Sequence, residues 1–245
     1  MSHYRVAVVR RQHQDADELL AKYSENLRVK PYICLTREEA LKEADNTIKK
    51  YADGTYSGSD WGDKLAKAKE TSEDELIKLY AEYTGHELDE NGNQLSTYNP
   101  LSKYDYYGEI DSFDTIKEYA EKYPPKAEDS HAAYKARVFW RHIVEGKPLP
   151  KKFAKDEYFN AWYTKEYYIK KYGDMETFVK FALANLPTYA FVLDDKWYAP
   201  GEVGWWASEH NISPTSTKEY LEAWEKVLKD PELQNAELLI YDMHI

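Results

Sequence analysis

His3-Tyr4-Arg5-Val6-Ala7-Val8-Val9 and Glu237-Leu238-Leu239-Ile240-Tyr241-Asp242-Met243-His244-Ile245 stand at opposite ends of a 245-residue chain. Each is a short apolar run bounded by polar residues, and so reads as a strand. Working inward from the first, Asp15 precedes Glu18 by three, a capping-box spacing, and Leu19, Leu20 and Tyr23 supply the apolar stripe of a short helix. Pro31 introduces a second strand, Tyr32 to Leu35, and Thr36 with Glu39 caps a longer helix running to about Tyr51. Working inward from the last, a Pro214-led helix reaches about Lys229. It is preceded by a hairpin of Thr188 to Leu193 and Lys196 to Ala199, turned at Asp194-Asp195. The two ends together spell a β-α-β-β-α-β order, and the expected fold class is α+β with a ferredoxin-like sheet closed by both termini.

That reading divides the chain into a core of residues 1–36 and 188–245 and a mainly helical insertion of 37–187. Within the insertion, 85–108 reads as an irregular loop, with Asp89-Glu90-Asn91-Gly92 as a turn. Pro124-Pro125 and Gly146 through Pro150 are its clearest joints. A helix is expected from His131 to about Glu145, with Ala132, Ala136, Phe139, Trp140, Ile143 and Val144 on one face. The next is expected from Lys155 to Tyr172, with two aromatic stripes: Tyr158, Trp162, Ile169 and Tyr172 on one side, and Phe159, Tyr163 and Tyr167 on another.

Composition sets limits on function. The net charge is −11, but residues 126–175 carry +4 and are crowded with aromatic side chains, whereas 31–125 carry −10. The overall acidity weighs against nonspecific binding to duplex DNA, whose affinity comes from phosphate neutralisation. It suits a basic partner surface. A single cysteine, Cys34, leaves no intrachain disulfide and no thiolate metal cage. No run of about 18 apolar residues is present, so no membrane partner is expected. A cytoplasmic protein is expected, with no cofactor and no metal.

Three groups of residues can carry chemistry. Arg137 and Arg141, one turn apart on the polar face of their helix, can clamp a phosphate or carboxylate. Phe159, Tyr163 and Tyr167, together with Trp205 and Trp206 of the Pro200-Gly201-Glu202-Val203-Gly204-Trp205-Trp206 loop, offer flat surfaces for a partner or a stacked base. In the expected sheet the first and last strands are antiparallel neighbours, which brings His3, Asp242 and His244 together as an acid/base cluster. Phosphate loops, dinucleotide fingerprints, zinc-protease helices and nucleophile elbows are absent.

Tyr98-Asn99-Pro100-Leu101-Ser102-Lys103-Tyr104-Asp105-Tyr106-Tyr107, Gly201-Glu202-Val203-Gly204-Trp205-Trp206 and Asp242-Met243-His244-Ile245 resemble segments of a family of bacteriophage and prophage proteins. The stretch from Tyr23 to Ile33 is similar as well. In that family the Asn-Pro loop typically runs on into Gly-Gly-Arg-Trp, where this chain has Gly108-Glu109-Ile110-Asp111. The resemblance implies a phage accessory protein in the cytoplasm of an infected or lysogenic bacterium, and brings no reaction with it. Such proteins often act on host defences, which implies binding and inhibition of a host protein, such as a defence nuclease, or of its nucleotide signal. The alternatives are a hydrolase acting on a nucleotide or phosphoester through His244, Asp242 and His3, and a virion or assembly protein.

Overall fold

The computed structural model describes residues 3–204 and 208–245. In chain order the elements are β1 (His3–Arg10), α1 (Ala16–Ala21), β2 (Arg28–Leu35), α2 (Arg37–Ala52), α3 (Trp61–Thr71), α4 (Glu73–Thr84), β3 (Glu87–Leu88), β4 (Gln94–Tyr98), β5 (Tyr106–Phe113), α5 (Ile116–Lys122), α6 (His131–Ile143), α7 (Lys165–Tyr172), α8 (Met175–Leu183), β6 (Ala190–Leu193), β7 (Lys196–Tyr198), β8 (Glu202–Val203), β9 (Glu209–His210), α9 (Pro214–Lys229) and β10 (Glu237–His244). The chain is α+β. It forms two compact units, one of residues 1–25 and 101–245 and the other of residues 26–100.

The first unit holds a five-stranded sheet in the order β5-β10-β1-β6-β7. Strand β1 runs antiparallel to β10, with His3 opposite His244 and Arg5 opposite Asp242, and parallel to β6. Side chains pack on both faces, from α5 and α9 on one and from α1, Tyr23 and Tyr104 on the other, and for that reason Val6–Val9 and Leu238–Tyr241 are unbroken apolar runs. On one face Ala7, Val9, Phe191, Leu238 and Ile240 pack beneath Tyr220, Trp224 and Val227 of α9 and Ile116 and Tyr119 of α5. On the other, Val6, Val8, Val192, Leu239 and Met243 pack against Leu19 and Leu20 of α1, Tyr23 and Tyr104. Burying each such aliphatic side chain contributes about 1.5–3 kcal/mol.

Local signals are realised where capping chemistry is strong. Asp15 caps α1 by accepting from the amides of Asp17 and Glu18, Thr36 and Glu39 form a reciprocal capping box on α2, and Pro214 occupies the first turn of α9. The β6–β7 hairpin turns through Asp194 and Asp195, both at positive φ, the twist a two-residue turn requires. Asp89 folds the predicted turn by accepting from the amides of Asn91 and Asn93.

The strand order departs from the ferredoxin-like one. The expected second core strand, within β2, pairs with β4 in a separate three-stranded sheet, β2-β4-β3, of the second unit. Strand β6 follows β1 directly in the main sheet, and β7 takes the outer place. The interval 37–187 also contains three strands, and one of them, β5, joins the main sheet beside β10. The boundary therefore falls near residues 25 and 100 and not at 36 and 188: α5 to α8 belong with the sheet unit.

The expected helix from Lys155 to Tyr172 is shorter than its periodicity suggested. Short 3-10 turns cover Lys151–Phe153 and Glu157–Phe159, and α7 begins only after Thr164. Asp156 redirects the chain by accepting from the Tyr158 amide, and Phe153 and Phe159 turn inward to meet at 4.7 Å between ring centroids. A continuous helix would not place both rings there. They complete a third core with Ala136, Phe139 and Trp140 of α6, Tyr168 and Tyr172 of α7, and Phe178 of α8.

Candidate functional site

Around this third core several aromatic rings reach solvent, and two of them lie under lysines. A row of ring contacts runs from Tyr134 through Phe153, Phe159, Tyr158, Phe139 and Tyr168 to Tyr163. Phe153, Phe159, Phe139 and Tyr168 are buried, whereas Tyr134, Tyr158 and Tyr163 reach solvent. Next to Tyr163, which is 52% exposed, Trp162 is 92% exposed. Tyr163 stacks on Tyr167 at 3.9 Å between centroids and 17° between planes, a contact that holds its ring in place. Lys152 sits 4.4 Å over Tyr134 and Lys135 4.7 Å over Tyr158, both within cation–π range.

The anticipated binding residues divide among several roles. Phe159 is core. Arg137 donates to the Glu128 carbonyl at 3.1 Å, which engages one end of the expected arginine clamp; Arg141 stays exposed. Tyr167 donates its hydroxyl to Glu209 Oε2 at 2.7 Å, and Lys171 Nζ reaches the same carboxylate at 2.7 and 2.9 Å. Burial lowers the Lys171 ammonium below its ordinary range while the Glu209 carboxylate opposes the shift. Burial and then Glu209 push the Tyr167 phenol upward. Such an ion pair pins β9 to α7 and leaves the Tyr167 hydroxyl committed. Trp205 and Trp206 lie outside the described residues.

The histidines meet as the antiparallel register requires, with different partners from those expected. His3 Nδ1 lies 2.9 Å from Asp242 Oδ2, and the His3 and His244 rings approach edge to face at 5.1 Å. His244 pairs with Asp105, its Nδ1 lying 2.7 and 2.8 Å from the two carboxylate oxygens. Tyr106 stacks on the His244 ring at 4.6 Å, and the buried Nε2 has no hydrogen-bond partner. Of these two histidines, His3 is open to solvent and His244 is buried. Arg5 and Asp242 line an adjoining groove of about 680 Å³, where Asp111 adds a second carboxylate against one guanidinium. Among the described residues, no group of three or more His, Cys, Asp or Glu is arranged to hold a metal ion.

Segments far apart in sequence also converge on the opposite side of this strand end. Ser102, Lys103 and Tyr104, Gly201 to Gly204, and Ile245 line a cavity of about 250 Å³ together with Tyr4, Tyr189 and His210. Lys103 Nζ bonds Glu202 at 2.7 Å, and Asn211 donates to the other oxygen of the same carboxylate at 2.6 Å. A Cβ on Gly201 would lie 2.6 Å from the His210 carbonyl oxygen, so the tight β8–β9 hairpin requires glycine there. The polar groups at the mouth are satisfied by one another, which makes this cavity a structural clasp first. The Lys103–Glu202 and Asp105–His244 pairs were not anticipated, since nothing in local spacing links residues about 100 and 139 positions apart.

No family model, curated protein or solved structure matches the chain. Among the described residues, no helix is long and apolar enough to cross a membrane.

Proposed function

We propose that this chain acts by stoichiometric binding, as a phage-type accessory protein that blocks a host factor, with a defence nuclease as the expected target class. The contact is the surface bearing Trp162 and Tyr163. The observation that supports this reading most is Trp162, left 92% exposed beside a tyrosine held in place by stacking. An exposed indole suits the anchor of an interface, because it covers a large apolar area with few side-chain torsions to order. The hydrolase reading has weaker support. His244 presents no accessible nitrogen, and the groove beside His3 holds more carboxylate than guanidinium, which repels an anionic substrate.

Co-purification from host lysate tests the proposal. The wild-type chain and His3→Ala are expected to retain one specific protein at about one-to-one ratio, and Trp162→Ala and Tyr163→Ala are expected to lose it at unchanged thermal stability. Full retention by Trp162→Ala would overturn the proposal, as would turnover of a nucleotide or phosphoester abolished in His3→Ala.

A further inference from the structure

We infer that the groove beside His3 binds a small zwitterion, namely an α-amino acid with an aromatic side chain. Arg5, Asp111 and Asp242 line it together with Phe113, Tyr119 and Tyr123. Strand register brings the three charges onto one face of the sheet. Arg5 stands directly opposite Asp242, and Asp111 stands opposite Ile240, which shares a face with Asp242 by alternation. Asp242 pairs with His3 at 2.9 Å, whereas among the described residues neither Arg5 nor Asp111 is in an ion pair. The groove shares no lining residue with the surface bearing Trp162 and Tyr163, so a small ligand here is independent of the proposed blockade.

The chain itself fixes the walls. Tyr119 donates its hydroxyl to the Asn185 carbonyl at 2.8 Å, and the Asn185 side-chain amide donates to the Pro124 carbonyl. These bonds hold the end of α5 against residues 185–187, which also line the groove, and its volume of about 680 Å³ suits a small molecule. Phe113 meets Tyr119 at 5.1 Å and Tyr123 at 6.0 Å, both edge to face, and Tyr123 is 43% exposed. A ligand ring extends that cluster. Lys122 already lies 5.2 and 5.5 Å over the rings of Phe113 and Tyr123, which leaves a ligand ammonium to the carboxylates. The Arg5 guanidinium can take a ligand carboxylate through two parallel hydrogen bonds. An anion alone is repelled by Asp111 and Asp242, and a cation alone leaves Arg5 without a partner. A zwitterion satisfies both signs.

Titration calorimetry with phenylalanine, with phenethylamine, which lacks the carboxylate, and with hydrocinnamate, which lacks the ammonium, tests this. Phenylalanine is expected to bind about 10-fold or more tightly than either analogue, since each analogue forfeits one charge-assisted contact. Arg5→Gln is expected to abolish the preference over phenethylamine and keep the preference over hydrocinnamate. Asp111→Asn with Asp242→Asn is expected to do the reverse. Circular dichroism and thermal melting check that each variant is folded, and amide shifts induced by phenylalanine are expected at residues 110–113 and 185–187. Absence of phenylalanine binding at millimolar concentration overturns the inference, as does equal binding of all three compounds. Preferences that both variants leave unchanged, or amide shifts confined to other residues, overturn it as well. Trp162→Ala is expected to bind phenylalanine as the wild type does, so loss of a host partner in that variant and failure of amino-acid binding are separate results.

Discussion

The aromatic layer of α6, α7 and α8 and the edge strand β5 are both rich in tyrosine, yet they use it in opposite ways. In the layer, rings that crowd the sequence between residues 126 and 175 are mostly consumed in a core, and Trp162 and Tyr163 are the prominent rings left to solvent. In β5, two tyrosines open an acidic, largely exposed strand whose position is set from outside, by pairing to β10 and by the Asp105–His244 contact. Ile110 is the unpaired residue of a bulge, and the amides of Tyr106 and Ser112 are held by the side chains of Asp105 and Asp111. Bulge, charge and capped amides together discourage another strand from adding to this edge. An aromatic-rich segment is thus no guide to a free surface, and a polar segment is no guide to a loop.

The largest test of the comparison is alkaline pH, which acts on both regions. Burial raises the Tyr104 and Tyr241 phenols beside β5 to about 12, and it raises Tyr168 in the aromatic layer. A phenol whose folded value exceeds its unfolded value of 10 keeps its proton in the fold after the unfolded chain has released it. Stability is therefore fully present below about pH 10 and falls as pH rises toward 12, by at most about 1.4 kcal/mol per pH unit for each tyrosine. Lys171 acts in the other direction and at lower pH, since its lowered value favours the fold as pH rises toward the unfolded value of 10.5 and adds nothing above it. Thermal melts at about pH 9 and about pH 11, read with phenolate absorbance, should show loss of stability and tyrosine ionisation together. Ionisation without unfolding would mean that these rings are not buried.

Next in size is Phe139→Ala, which removes the ring that touches Tyr158, Phe159, Tyr168 and Phe178. A loss of about 3–5 kcal/mol in denaturant unfolding is expected. A loss below about 1 kcal/mol would show that the aromatic layer is loosely packed and not a core. Smaller again is Asp105→Asn, expected to cost about 1–3 kcal/mol by replacing the carboxylate that faces buried His244. Amide exchange over residues 106–109 should accelerate in that variant, because β5 would lose one of its ties to β10. Unchanged exchange would mean that the backbone ladder alone holds the edge.

Much of the local structure was legible from residue pattern alone. Asp15, Thr36 with Glu39 and Pro214 announced their helices, and Asp194-Asp195 announced the hairpin, because each satisfies or bends backbone within a few residues of itself. The meeting of His3, Asp242 and His244 followed from antiparallel order and alternation. The identity of the His244 partner did not, because Asp105 comes from a segment that reads as irregular until it is paired. The end of helical structure before Thr164 was legible in principle, since Asp156 and Thr164 are both capping residue types; the strong aromatic periodicity outweighed them.

What the sequence determined by itself is the set of elements whose stabilisation is local, namely caps, turns and the two apolar strands at the ends, together with the contrast of charge between the acidic and the basic aromatic segments. Tertiary structure alone decided the strand order, the entry of β5 into the sheet, and which rings are core and which face solvent. The physical reason is range. A cap or turn is settled by atoms a few residues apart, whereas strand pairing and burial depend on partners more than a hundred residues away, and a tyrosine carries no local mark of which side of the packing it will face.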